Sequence, residues 1–278
     1  MDATLDKNKR TFQNFIIIFL NSLSYFLMAY YFMYLLSQLA TAVAALQFDY
    51  SSKLYYYKLV YTIDSYSWTS DAVKLLYSIG PAISLLFGIL ALIAFISLYD
   101  DRGRYKMFFV WCWVHGMIWF FGAFLTGTLL DKGIGYVIMY FYLQDTAKLL
   151  ITLFALTLLL IAGVFSTRWL LFTGNSYFNQ INEHNRAFFT FSQIIMPTLA
   201  GTALLILFKL PKITFYELFV LMTAVIFMIP TLLRFHVFPT YFFDEIPIKI
   251  TLDKKALFAA VVVVIAFRVV FQIGIPIG

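Results

Sequence analysis

Long apolar segments separated by short polar connections run through nearly the whole chain. A helix that crosses the hydrocarbon of a bilayer needs about 20 mostly apolar residues. Seven segments meet this requirement, and the first is long enough to tilt strongly or to project beyond the bilayer. The predicted spans cover residues 12–45, 75–99, 107–130, 147–166, 187–208, 214–234 and 256–274. The pattern therefore predicts an all-α, polytopic transmembrane helical bundle of about seven spans, although six or eight would also fit.

The connections between these spans contain no soluble domain and no internal repeat, so residues 1–278 are predicted to form a single integral membrane domain. The apolar segment 136–144 is too short to cross by itself, and we expect it to lie at the interface or to lengthen the fourth span. The outer connection 48–73 is rich in tyrosine, which suits headgroup depth. The inner connection 167–186 is rich in amide side chains, which favours a structured, hydrogen-bonded loop.

The N-terminal region predicts both retention of the first span and its orientation. The apolar segment after Arg10 is far longer than the roughly 7–15 apolar residues of a cleavable signal, so we expect it to stay in the mature protein. With the N-terminus inside, basic residues are more numerous on the cytoplasmic side than outside, as the positive-inside rule requires. The cytoplasmic set is Lys7, Lys9, Arg10, Arg102, Arg104, Lys106, Arg168, Arg186, Arg234, Lys249, Lys254 and Lys255.

Composition supports the membrane assignment. Apolar residues make up 62% of the 278 residues and charged residues only 12%, about half the roughly 25% of an ordinary soluble domain. A soluble fold of this size needs more polar groups to cover its surface, so a soluble enzyme, a disordered chain and a disulfide scaffold are excluded. The net charge of +6 is typical of loops that face anionic lipid rather than of a nucleic-acid partner.

Ionisable groups at membrane depth are the strongest functional candidates, because each is costly unless it is paired or hydrated. Asp145 and Lys148 share one helical face at the start of the fourth span. Glu217 begins the sixth span and Arg268 lies within the seventh. We predict a buried or half-buried outer charge cluster in which Arg268 pairs with Glu217 or Asp145. The alternative is that Arg268 extends outward to water while Asp145 and Lys148 form an interfacial pair.

Small residues in the second span predict a close helix contact. Gly80, Ser84 and Gly88 recur at four-residue spacing, which lets two helix backbones approach each other. Pro81 lies in the same turn. We expect this helix-packing seam to serve an internal contact, with a contact to another protein as the alternative.

Polar residues inside other spans mark further candidates. In the fifth span Gln193 and Thr198 flank Pro197, which frees a backbone carbonyl and suits a kink or a coordination site. His115 is the one histidine within a span, and we expect it to be hydrogen-bonded to a neighbouring helix rather than to act as a ligand or proton carrier.

Motifs of common membrane enzymes and cofactor proteins are missing. His115 lacks the glutamate and the second histidine at i+4 that an intramembrane zinc protease requires. Ser176 lacks the setting of a rhomboid-like serine nucleophile, and the last span offers Arg268 rather than the lysine of a retinal protein. We predict no catalytic residue, no metal and no cofactor, and we interpret Cys112 as inert packing.

The sequence therefore favours a non-catalytic integral membrane subunit, or an assembly partner, of a larger complex in the bacterial inner (cytoplasmic) membrane. An organellar inner membrane is the alternative location. The expected partners are the lipid bilayer and other membrane proteins, with no nucleic acid. The alternative function is a small transporter, or an ion- or proton-coupled component, that uses the outer charge cluster. A weaker alternative is an intramembrane enzyme acting on lipid or peptide, with a site formed by Asp145, His115 and the inner loop.

Overall fold

A computed structural model describes residues 2–98, 100–243 and 249–278, with the backbone alone for residues 2–10. The side chains of Lys7, Lys9 and Arg10, which contribute to the predicted orientation, therefore lie outside the described part. The eight helices of the described residues are α1 Asp2–Leu46, α2 Ser70–Ser97, α3 Lys106–Leu130, α4 Ile134–Tyr140, α5 Asp145–Phe172, α6 Glu183–Lys209, α7 Phe215–Arg234 and α8 Lys254–Val270.

Among the described residues, four short strands and three single 3-10 turns lie in the connections, and a fifth strand follows α8. The strands are β1 Ser52–Leu54, β2 Leu59–Tyr61, β3 Gln180–Ile181, β4 Tyr241–Phe242 and β5 Ile275–Ile277, and the 3-10 turns are Ser65–Ser67, Thr173–Ser176 and Phe235–Val237. Strand β1 pairs antiparallel with both β2 and β5, and β3 pairs antiparallel with β4. The three-stranded sheet marks one end of the bundle and the two-stranded sheet the other. We call these the outer and inner ends, after the predicted orientation.

The prediction of a membrane helical bundle is confirmed. Helices α1, α2, α3, α5, α6 and α7 are each long and apolar enough to cross a membrane. The seventh predicted span forms α8, whose 17 residues reach the lower limit of about 17 for a crossing. At the inner end Asp253, just before α8, receives a hydrogen bond from Tyr25, and at the outer end β5, just after α8, pairs with β1. Helix α8 therefore runs from one end of the bundle to the other.

Local signals explain where the helices begin. Thr69 caps α2, Asp253 caps α8, and capping boxes open α6 at Asn182 and α7 at Thr214. Each cap supplies an oxygen to backbone N–H groups that have no partner within the helix. The predicted spans overlap the observed helices, but several boundaries differ. Helix α1 begins at Asp2 rather than at residue 12, and α2 begins at Ser70 rather than at residue 75. The fourth predicted span, 147–166, continues to Phe172, and the seventh, 256–274, stops at Val270 because the chain turns there into β5.

Helix α1 is the centre of the bundle, in contact with α2, α3, α6 and α8. Helices α5 and α7 pack against each other and against α3. The predicted seam on α2 is an internal contact. Gly80 faces Ser37 and Thr41 of α1, and a Cβ atom on Gly88 would lie 3.1 Å from the Cα atom of Gly116 on α3. The seam therefore allows α2 to approach both of its neighbours.

The segment 136–144 contributes to α4, which lies at the outer end beside α2 and α3. It does not lengthen the fourth span, because residues 141–144 separate α4 from α5. The inner amide-rich loop is structured, as predicted. The Asn182 side chain accepts hydrogen bonds from the backbone of His184 and Asn185, and Asn185 donates to the carbonyl of Gln180.

Candidate functional site

A cavity of about 600 Å³ lies at the outer end, between α1, α2, α3 and the start of α7. The β1–β2 hairpin and α4 complete its wall. It extends inward as far as Pro81 of α2 and Trp119 of α3. Pro81 lies 11 residues into α2, about 16 Å along the helix at 1.5 Å per residue. This depth is more than a third of the length of α2, whose 28 residues span about 42 Å.

The lining of this outer cavity combines aromatic surface with a few polar groups. The aromatic members are Tyr61, Trp68, Tyr77, Trp119, Tyr136 and Tyr216. The polar members are Ser37, Gln38, Thr41, Lys58, Lys132, Thr214 and Glu217. Both lysines are exposed, whereas Ser37, Thr41 and Glu217 are buried. The cavity thus has cations near the water and apolar rings inside, as in pockets that hold small organic ligands.

Trp119 lies in the wall of the outer cavity and carries a buried donor that has no partner in the described part of the chain. Its side chain lines the cavity and is 8% exposed, and its indole Nε1–H group has no acceptor among the described residues. An indole nitrogen can only donate. A buried donor without a partner costs free energy that an acceptor on a ligand, or a water molecule, would recover.

The hairpin wall is held in place by side chains from inside the bundle. Gln38 of α1 accepts a hydrogen bond from the backbone of Leu59 at 3.1 Å. Lys209 of α6 donates to the carbonyl of Tyr57 at 2.9 Å, and Tyr34 donates to the carbonyl of Tyr55 at 3.3 Å. Three polar contacts thus fix the turn that forms one side of the cavity.

Glu217, predicted as a member of the outer charge cluster, lies in the cavity wall and pairs with Lys209. The Lys209 Nζ atom is 3.0 Å from Glu217 Oε1, and both side chains are buried. The second carboxylate oxygen of Glu217 accepts from the backbone and hydroxyl of Thr214. Lys209 also lies over the rings of Tyr34 and Trp119, at 4.8 and 5.9 Å from their centroids. Every charged atom of the pair has a partner, which is what burial of an ion pair requires.

Arg268 does not pair with Glu217 or Asp145, and the predicted pairing is wrong in this respect. Its guanidinium donates to the carbonyls of Phe208 and Leu210 at 2.6 and 3.3 Å, and it lies 3.7 Å from the centroid of the Tyr56 ring. The physical reason is that α6 ends beside it, leaving C-terminal carbonyls that an arginine can cap. Arg268 therefore joins α8 to the end of α6 and to the hairpin.

The remaining two members of the predicted cluster lie elsewhere. Lys148 forms an ion pair with Asp131, at 3.1 Å, which joins the start of α5 to the end of α3. Asp145 is exposed at the start of α5. The predicted cluster is thus divided, with Glu217 and Arg268 brought to the turn between α6 and α7 and Lys148 bound to a different carboxylate.

The intramembrane polar residues are used for helix packing. His115 Nε2 lies 3.1 Å from the carbonyl oxygen of Phe26 on α1, so this histidine is bonded to a neighbouring helix, as predicted. Gln193 lies in the π-helical turn of α6, where its amide contacts the sulfur of Met107 at 2.8 Å. Thr198 donates to the carbonyl of Ile194 in its own helix.

Pro197 frees a carbonyl, as predicted. Because proline has no N–H group, the carbonyl of Gln193 loses its partner within the helix. The hydroxyl of Ser22 on α1 donates to this carbonyl at 2.6 Å, and Trp111 of α3 donates to the Ser22 oxygen at 3.2 Å. The freed carbonyl therefore joins three helices.

Sequence reasoning missed Lys209, Lys58, Lys132 and Trp119 as parts of the outer site. The predicted span boundaries place Lys58, Lys132 and Lys209 in outer connections, where a lysine needs no explanation. One signal was present, because Lys209 and Glu217 lie on either side of the short connection between two antiparallel helices. Nothing in the sequence marked Trp119 as a residue of the site, because aromatic residues are common within the predicted spans of this chain.

The chain matches no protein-family model, no curated protein and no solved structure, so its function is argued from the site itself.

Proposed function

We propose that this protein is a non-catalytic membrane transporter component that takes up an organic anion with an aromatic or apolar body through the outer cavity. The observation that carries the proposal is a cavity of about 600 Å³ that extends inward from the outer end, about 16 Å along α2, to Pro81 and Trp119. Among the functions favoured by the sequence, the transporter is the one that needs such a cavity. A subunit that only holds a complex together leaves the cavity and the unpaired Trp119 donor without a role.

The residues at the rim and in the interior of the outer cavity indicate that its ligand is an anion. Lys58 and Lys132 are exposed at the cavity, where they attract anions from the water. The carboxylate of Glu217 is already bound to Lys209 and Thr214, so it adds little repulsion. The unpaired N–H group of Trp119 lies within the cavity wall and would bond an anionic oxygen that reached it. The aromatic lining suits the apolar part of the same ligand.

The inner half of the bundle is packed around α1 by aromatic rings. Below Trp119, the buried residues Tyr30, Phe26, His115 and Trp111 form edge contacts with ring centroids 4.5–5.5 Å apart. The cavity therefore opens toward one side, as in a transporter in its outward-facing state. We infer a bacterial cytoplasmic membrane as the location, with an organellar inner membrane as the alternative.

An enzyme site formed by His115, Asp145 and the inner loop receives no support. His115 is enclosed by Phe26 and Tyr30, whereas Asp145 is exposed at the outer end. Neither lines the outer cavity.

Binding of radiolabelled naphthalene-2-sulfonate, a permanent aromatic anion, tests the proposal. The protein is placed in nanodiscs of neutral phosphatidylcholine, and saturable binding is expected. Lys58→Gln with Lys132→Gln should weaken the affinity by about tenfold, from two exposed charge interactions of at most about 1 kcal/mol each. Trp119→Phe, which retains the ring and removes the donor, should also weaken it.

The matched control is Lys53→Gln with Lys212→Gln, two exposed outer lysines that do not line the cavity. Equal weakening in both double variants, or no saturable binding, would contradict the proposal. Uptake of the same anion into proteoliposomes distinguishes a transporter from a binding subunit, since a subunit binds without uptake.

A further inference from the structure

A second, wide-open cavity of about 660 Å³ lies at the inner end of the bundle. It is bounded by α1, by the start of α8 and by the connection between α2 and α3. Three basic side chains line it, namely Arg102, Arg104 and Lys255. This site shares no residue with the outer cavity, and its chemistry is independent of the proposed transport function.

Arg104 is held in a fixed position in this inner cavity. Its Nη2 atom donates to the hydroxyl of Thr251 at 2.7 Å, and its guanidinium lies 5.4 Å from the centroid of the Tyr177 ring. A guanidinium carries five N–H donors, so the bond to Thr251 leaves several for a ligand. Its planar fork matches two oxygens of a phosphate group. Lys255, in the first turn of α8, is exposed and adds a second cation.

The acidic residue in the wall of the inner cavity, Asp253, already accepts hydrogen bonds on both of its carboxylate oxygens. One oxygen of Asp253 accepts a hydrogen bond from the Tyr25 hydroxyl at 2.9 Å, and the other accepts from the backbone of Ala256 at 3.0 Å. Nearby, the Tyr105 hydroxyl and then the Gly103 N–H group lower the pKa of Asp101 below its usual value. Asp101 does not line the cavity, and its bond to Tyr105 orients a residue that does.

The apolar part of the inner cavity favours a lipid over a free anion. Met28 of α1 and Ala256 and Ala259 of α8 line it beside the basic residues. Ala259 lies one helical turn beyond Lys255, so the apolar surface continues from the basic rim along α8 toward the membrane interior. Small alanine side chains leave room for an acyl chain between α1 and α8.

We propose that the inner cavity binds an anionic phospholipid, with Arg104 and Lys255 on the phosphate and an acyl chain along Met28 and Ala259. Basic pockets between membrane helices on the cytoplasmic side bind headgroups of this kind. The bound lipid fills the space between α1 and α8, which are joined here by the contact between Tyr25 and Asp253.

Native mass spectrometry of the detergent-purified protein, titrated with phosphatidylglycerol or phosphatidylcholine, tests this proposal. Phosphatidylglycerol is expected to be retained in preference. Each basic side chain near a membrane surface contributes about a fivefold gain in affinity, so Arg104→Gln with Lys255→Gln should weaken phosphatidylglycerol binding about thirtyfold. Lys255→Gln alone, at an exposed position, should weaken it about fivefold and decides the question if the double variant does not fold.

The control Lys53→Gln with Lys212→Gln removes the same charge at the outer end and should leave the preference unchanged. Equal loss in the two double variants would show attraction by net charge only and would overturn the proposal. A lack of preference for phosphatidylglycerol would also overturn it. Competition with sn-glycerol 3-phosphate separates the two sources of phosphate. Displacement at concentrations similar to those of the lipid would indicate a free-phosphate site and contradict a lipid site.

Discussion

At the scale of single residues, the outer site depends on an ion pair whose atoms are all satisfied. Lys209 contacts Glu217 and the Tyr57 carbonyl, and Glu217 also closes the capping box with Thr214. Removing one partner from a buried pair leaves an uncompensated charge and costs far more than the pair contributes. Lys209 also holds the hairpin against the end of α6, so the shape of the cavity depends on this pair.

Lys209→Met is expected to lower the free energy of unfolding by about 3–5 kcal/mol, because it leaves the Glu217 carboxylate buried without a cation. Adding Glu217→Gln should recover part of this loss, since the amide oxygen can still accept from Thr214 without carrying a charge. Unfolding by denaturant in detergent measures both effects. Lys212→Met, at an exposed position three residues later, is the control and should change stability by less than about 0.5 kcal/mol. A Lys209→Met variant as stable as this control would refute the role of the pair.

At the scale of helices, the regular hydrogen bonding of α6 is broken at a point where a neighbouring helix supplies the missing hydrogen bond. The π-helical turn Phe191–Ile195 precedes Pro197, and the freed carbonyl of Gln193 is bonded by Ser22 of α1. Membrane helices tolerate proline when a neighbouring side chain satisfies the freed backbone group. The break therefore fixes the rotation of α6 about its axis relative to α1.

Ser22→Ala is expected to destabilise the protein by about 1–3 kcal/mol, because it leaves a buried carbonyl and the Trp111 donor unpaired. In a Pro197→Ala background the cost should be smaller, since the new N–H group at position 197 can bond the Gln193 carbonyl within the helix. A double-mutant cycle of unfolding free energies measures this coupling. Ser97→Ala is the matched control, because this exposed serine donates to a carbonyl of its own helix. Equal costs of Ser22→Ala in the two backgrounds would argue against the coupling.

At the scale of the whole molecule, the two cavities lie at opposite ends and make different demands on orientation. The outer cavity needs to face the aqueous side from which the anion arrives, and the inner cavity needs to face the leaflet rich in anionic lipid. Both requirements are met when the N-terminus is cytoplasmic, which is the orientation that the distribution of basic residues predicts. The single cysteine, Cys112, is buried, so an introduced cysteine can be detected without interference.

Tyr66→Cys should react with a membrane-impermeant maleimide in intact cells, because this position is fully exposed in the outer connection. His184→Cys, exposed in the inner loop, should react only after the membrane is permeabilised. Gel-shift labelling measures both, with the unmodified chain as the unreactive control. The reverse pattern would place the N-terminus outside and would direct the aromatic cavity toward the cytoplasm.

The sequence by itself determined the helices of this protein and much of its close packing. Apolar length, capping residues such as Thr214 and the four-residue spacing of Gly80, Ser84 and Gly88 are local properties. They act within one helix or its first turn, so they can be recognised without knowing any neighbour. The sequence also predicted that His115 bonds to a neighbouring helix. It did not predict that the partner is the carbonyl of Phe26 on α1.

Only the tertiary structure decided which charged groups meet and where space remains. Glu217 pairs with Lys209 rather than Arg268, because the short turn between α6 and α7 brings the first two together while Arg268 reaches free carbonyls. The outer cavity collects residues from distant parts of the chain, from Ser37 to Glu217. Its existence depends on the relative rotation and separation of helices, and hydrophobic pattern carries no information about either. The sequence thus specified a membrane bundle, and three-dimensional packing specified the site within it.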